Sequence, residues 1–156
     1  MPRAPYQILV LPCRKTRDGW EFAVFSRSDY SCHQGIAGGG EDDGIPIAAA
    51  RREAFEEAGI SDASRFIPLQ ATCTIPVTFF QDSGTWDRTL YVVPEHSFGV
   101  DCTGQEIILS DEHSAVEWLC YAEAWARFTY DSNKTALWEL NQRLCGLEPR
   151  DEQRDL

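Results

Sequence analysis

GGGEDDGIPIAAARREAFEEAGI, residues 38–60, joins a glycine-rich stretch to a segment whose apolar residues recur at helical spacing. Pro46 suits the first turn of that helix, where a missing N–H costs nothing, and Gly59 suits its end, where a left-handed cap is needed. At about 100° per residue, Glu53, Glu56 and Glu57 share an arc of roughly 100°. Ile47, Ala50, Ala54 and Ala58 share the adjacent face, and their small size lets the helix lie close against a sheet. The apolar stripe therefore fixes the direction in which three carboxylates point.

Like charges at these spacings cost roughly a few tenths of a kcal/mol each on an exposed helix. A cation relieves that repulsion, and hard oxygen ligands in this number suit Mg²⁺ or Mn²⁺. The glycines ahead of the helix add backbone that a phosphate or metal can approach. The same residues also fit an ordinary solvated face with ion pairs, such as Arg52 with Glu56 at i, i+4. Residue pattern alone leaves both readings open.

Outward from this segment, Tyr6–Cys13 and Trp20–Ser26 are predicted strands, and residues 28–44 a loop. Ala71–Phe80, Thr89–Val93 and Ala115–Cys120 are further predicted strands. Glu123–Phe128 and Thr135–Cys145 are predicted helices, the latter capped by Asp131 or Ser132 and ended by Gly146. Strands mixed with three helices imply one α/β domain, residues 1–147, with a mixed sheet covered on both faces. The charged residues 148–156 are expected to form a mobile tail.

The net charge of −11 argues against a basic nucleic-acid-binding surface. It still permits a small phosphorylated substrate when divalent cations lie between the two sets of oxygens. No apolar run reaches the ~20 residues needed to cross a bilayer, and the apolar stretch within MPRAPYQILVLPCRK is too short for a signal peptide. Six cysteines stand at irregular gaps with no CxxC pair. Reduced thiols in a cytoplasmic protein are the expectation, with no nucleic-acid or membrane partner. Monomer and homodimer both fit.

Gly38, Arg52, Glu53, Glu56, Glu57, Gly59 and Ile60 match, without a gap, a pattern of G-x5-E-x7-R-E-U-x-E-E-x-G-U, where U is bulky and apolar. This resembles the Nudix box. Two positions depart from it: Ala54 is a small residue at a U position, and Gly44 replaces the first glutamate. The resemblance implies a Nudix-type α/β/α sandwich carrying a loop–helix–loop catalytic motif. It further implies that Glu53, Glu56 and Glu57 hold divalent ions, that Arg52 orients the carboxylates, and that the Ala37 or Gly38 carbonyl completes the metal shell. QGIAGGGEDD, EIILSDEHSAVEWL and YDSNKTALWEL are similar to bacterial Nudix proteins of the dATP and dihydroneopterin triphosphate pyrophosphohydrolase type. SDEHSAVEW also resembles diadenosine tetraphosphate hydrolases.

By that resemblance Glu112 is the late glutamate that acts as metal ligand or base, with Glu106 in reserve. Gly38 and Gly39, Arg27, and Asn133 with Lys134 at a helix start are the substrate-binding candidates. An exposed loop carboxylate, a surface ion pair and simple helix caps are the alternatives for these residues. Trp86, Phe79 and Phe80 could stack on a base or belong to the core. His33, His96 and His113 form no ligand pattern. The implied activity is metal-dependent hydrolysis of a dNTP or dihydroneopterin triphosphate to a monophosphate and pyrophosphate. A dinucleoside polyphosphate hydrolase and a silent nucleotide-binding module, the latter because of Gly44, are the alternatives.

Overall fold

β1 (Arg3–Thr16) is long enough to serve several neighbours at once. The computed structural model describes residues 3–41 and 44–146, so position 147 and the expected tail lie outside the described residues. β6 (Val92–Asp101) runs parallel to β1 along one edge, from Gln7↔Glu95 to Cys13↔Asp101. β2 (Gly19–Arg27) and β4 (Ile36–Glu41) share the other edge. β2 pairs with residues 13–16, and β4 with residues 3–10. β3 (His33–Gln34) and β7 (His113–Leu119) pair with β2, and β5 (Arg65–Pro76) pairs with β6. The result is a seven-stranded mixed sheet.

Strand alternation divides β1 between two cores. Ile8 and Val10 pack with Ala50, Ala54 and Ala58 of α1 (Pro46–Ala58). Leu9, Leu11 and Cys13 pack on the opposite face against α2 (Tyr121–Arg127) and α3 (Asp131–Leu144). The α/β/α sandwich expected from the sequence is therefore present. All six cysteines are unpaired. No helix among the described residues is long and apolar enough to cross a membrane.

Three elements differ from expectation. The glycine stretch expected as loop contains β4, because glycines weaken a strand in isolation while their missing side chains allow the close approaches described below. β6 extends to Asp101, far beyond the expected Thr89–Val93, because parallel pairing with β1 holds the polar run Glu95-His96-Ser97 in the sheet. β5 ends at Pro76, and Val77–Phe79 forms a 3₁₀ turn instead of more strand. The start of α3 also differs: Tyr130 is its N-cap, and neither Asp131 nor Ser132 supplies a side-chain cap.

Candidate active site

Helix α1 ends as its sequence dictates: Gly59 takes φ 66°, and its N–H and that of Ile60 return to the Phe55 and Ala54 carbonyls. The alanine stripe draws the helix onto the sheet so closely that β4 has no room for a side chain at Gly38. A Cβ on Gly38 would stand 2.6 Å from Glu53 Cγ and 2.7 Å from Oε2. Arg52 Nη2 donates to the Gly39 carbonyl at 2.6 Å and to Glu53 Oε1 at 3.1 Å, and Nη1 lies 3.8 Å from Glu41 Oε1. The arginine thus clamps the helix to β4 and orients Glu53, instead of pairing with Glu56 along the helix. Glu41 puts a carboxylate beside Arg52 even though Gly44 carries none. Burial raises the Glu53 pKa, Arg52 opposes that rise, and Glu56 and Glu112 add to it.

Glu57 is 4% exposed, so it does not belong to a solvated helix face. Its Oε2 lies 3.3 Å from Nε2 of His113, which is 5% exposed and stacks near Phe25 with ring centroids 4.9 Å apart. Burial, and then Glu112, push the Glu57 carboxyl up to about 10. Burial also lowers the His113 pKa, which favours the neutral imidazole. His113 Nδ1 is buried with no hydrogen-bond partner among the described residues. The segment bearing Glu112 is tied to the end of α1 by Ile108 N–H to the Ala58 carbonyl and Ser110 N–H to the Glu57 carbonyl. Ser28 fixes its far end through the Asp111 and Glu112 carbonyls. One ligand atom from each of Glu57, Glu112 and His113 falls within 4.8 Å of the others. The buried Glu57 carboxyl with its raised pKa, the exposed Glu112 carboxylate and the His113 imidazole are a donor set that would suit a divalent cation.

A cleft of about 1200 Å³ runs from this cluster across the sheet. Glu53, Glu57, Glu112, Gly38, Gly39, Arg27 and Asn133 line it, as do Ala37, Phe79 and Phe80. Arg27 is held by both carboxylate oxygens of Asp29, at 2.8 and 2.7 Å. Asn133 is buried and accepts the Gly35 N–H at 2.8 Å, so its oxygen is committed to holding the turn before β4. Glu56 is exposed outside the lining, as is Glu106. Lys134 is outside it as well, its ammonium 5.9 Å from the Trp125 ring centroid. Trp86 packs on Phe80 and donates its indole N–H to the Arg3 carbonyl, a structural use.

Sequence reasoning missed His113, whose neighbours in SDEH suggest an exposed loop. Only its place as the first residue of β7, facing inwards, buries it. It also missed the polar row on the cleft floor. Arg3 Nη2 donates to Gln7, Gln7 to Glu95, and the Cys73 thiol to Glu95, at 2.8, 3.1 and 3.4 Å. No sequence spacing links these residues, because three different strands bring them together.

A NUDIX domain family model matches residues 5–139. Among solved structures, a NUDIX hydrolase from Listeria monocytogenes is 38% identical over 92% of this chain and 96% of its own, with a TM-score of 0.83. The E. coli dihydroneopterin triphosphate pyrophosphohydrolase is 23% identical over 89% of this chain and 97% of its own, at a TM-score of 0.70. A C. elegans Ap4A hydrolase is 18% identical over 92% and 99%, also at 0.70. At such identities the last two show a shared fold alone. No curated protein sequence matches the chain. A family match over most of the length, together with a helix that brings Glu53 and Glu57 to one cleft with Gly38 and Gly39, makes this chain a member of the Nudix hydrolases, which act on phosphoanhydride bonds.

Proposed function

We propose that residues 1–147 form one cytoplasmic catalytic domain that hydrolyses a nucleoside-triphosphate-like substrate to a monophosphate and pyrophosphate, with Mg²⁺ or Mn²⁺. The observation that carries this reading is the buried group of Glu57, His113 and the neighbouring Glu112 and Glu53 at one end of a cleft large enough for a nucleotide. Glu53 and Glu57 would hold the ion, with Glu112 beside them and Glu56 adding its charge from the helix surface. The chemistry such an ion would supply there is neutralisation of phosphate oxygens and acidification of a water.

Glu112 is exposed, lines the cleft and reaches the Glu57 carboxylate, which suits it to take the proton of the attacking water. The new P–O bond forms as the bridging P–O bond breaks, and pyrophosphate carries away the bridging oxygen. Arg52 keeps Glu53 in place through the Gly39 carbonyl, and Arg27 lies where it can meet a terminal phosphate. Asn133 positions the turn ahead of β4.

The test is a screen of nucleoside triphosphates, a pterin triphosphate and a dinucleoside tetraphosphate with Mg²⁺ or Mn²⁺, reading phosphate and pyrophosphate separately. Pyrophosphate release that stops in excess EDTA is expected. Undiminished turnover in EDTA refutes the metal-dependent reading, and tight nucleotide binding with no turnover makes the chain a sensor.

A further inference from the structure

Four residues from four adjacent strands form a single row across the sheet. Gly39 of β4 is the register partner of Gln7 in β1, Gln7 of Glu95 in β6, and Glu95 of Cys73 in β5. All four line the cleft. Directly paired residues project from the same face, and neighbouring strands lie about 4.8 Å apart. Glu95 is therefore about 10 Å along the row from Gly39, the backbone that Arg52 grips beside Glu53. A ribose or a short polyhydroxy chain spans such a gap between a phosphate and a ring.

Glu95 is an unusual residue to place there. It is 4% exposed, and none of the ion pairs among the described residues includes it. Its partners are neutral: the Gln7 amide on Oε2 and the Cys73 thiol on Oε1. A buried carboxylate without a cation is costly, and a glutamine, which fills the same space, would offer one acceptor oxygen in place of two. Each carboxylate oxygen has two lone-pair directions, so Gln7 and Cys73 leave one free on each. Two adjacent acceptors on the floor of a cleft, with Ile75 two residues along β5 from Cys73 in the same lining, complement a flat ring that presents two adjacent N–H donors.

We propose that Glu95 is the ring-reading residue of this cleft and selects a 2-amino-4-oxopyrimidine edge, shared by guanine and pterin, over adenine. The ring N–H and the exocyclic amine donate to the two oxygens of Glu95. Adenine offers an acceptor beside its amine, and that lone pair would face a carboxylate oxygen. The inference rests on the triphosphate-hydrolase reading for its location, while the binding arm of its test does not depend on turnover.

The experiment compares GTP, ITP and ATP with the parent and with Glu95→Gln. ITP lacks only the exocyclic amine. The parent should prefer GTP over ITP by about 10-fold in kcat/KM, and over ATP by about 100-fold, as expected for one and two charge-assisted hydrogen bonds. Glu95→Gln should lose at least about 10-fold on GTP, mainly through KM, and erase the GTP–ITP difference while ATP changes little. Calorimetry with GMP and IMP in EDTA gives a readout independent of turnover and should show the same preference. A neopterin triphosphate arm separates the two rings: the better substrate identifies the source. A parent that handles GTP, ITP and ATP alike, or a variant that loses equally on all three, overturns the assignment. If no triphosphate is hydrolysed but GMP still outbinds IMP, the hydrolase reading fails and the ring-reading role stands.

Discussion

Alanine at Gly38 should separate catalysis from folding. The added Cβ would meet the Glu53 side chain, 2.6 Å from Cγ and 2.7 Å from Oε2, and ordinary carbon contacts begin near ~3.5 Å. Glu53 must then move by about 1 Å. Its side chain is flexible, so it yields by leaving its rotamer at about 0.5–1.5 kcal/mol, partly offset by alanine's lower chain entropy. For a chain of this length that is a fall of roughly 1–6 °C in melting temperature. The active-site consequence is larger, because a displacement of 1 Å in a positioned group can cost about 100-fold in rate. Calorimetric melting and steady-state kinetics with Mg²⁺ measure both quantities. Gly40→Ala is the contrasting control, because its Cβ would run into the Tyr6 ring and should damage the fold itself. If Gly38→Ala melts like the parent and turns over within about two-fold, the close approach of β4 to Glu53 is not what positions the carboxylate.

Glu57 should link stability to pH in metal-free protein. Its folded pKa, about 10, lies above its ordinary 4.5, so the stability that it contributes is complete below about pH 4.5 and is lost as pH rises towards 10. In EDTA the parent's melting temperature should fall from about pH 6 to about pH 9 more steeply than that of Glu57→Gln, and saturating Mg²⁺ should remove that difference in slope. Equal slopes in EDTA would contradict the burial of this carboxylate. Gly44→Glu should leave turnover unchanged or raise it. Gly44 is not among the positive-φ residues described, its Cβ would lie 3.3 Å from the Glu41 carbonyl, and Arg52 already has Glu41 nearby. An exposed ion pair is worth only about 0.2–1 kcal/mol, so a well-folded variant that loses most of its rate would refute the view that Gly44 is a tolerated loss.

Helix α1 was legible in the sequence because its determinants are local. Pro46, the alanine stripe and Gly59 fix its limits and its buried face, and the i, i+3, i+4 spacing sets the Glu53–Glu56–Glu57 arc wherever the helix lies. β1 was legible for the same reason, as a short apolar run that is buried from Ile8 to Cys13. What helical spacing could not express is depth. Glu56 and Glu57 are neighbours on one arc, yet Glu57 is buried and Glu56 exposed, because the sheet, β7 and the segment leading to Glu112 close over one side of the helix only. β4 was hidden because glycine has no strand propensity to read. It is a strand because β1 supplies its ladder, and it is glycine at position 38 because Glu53 of α1 comes too near for any larger residue there. His113 and the Gly39–Gln7–Glu95–Cys73 row belong to tertiary structure alone. Their members are up to 88 residues apart in sequence, and register across four strands, which no local pattern encodes, decides that they meet.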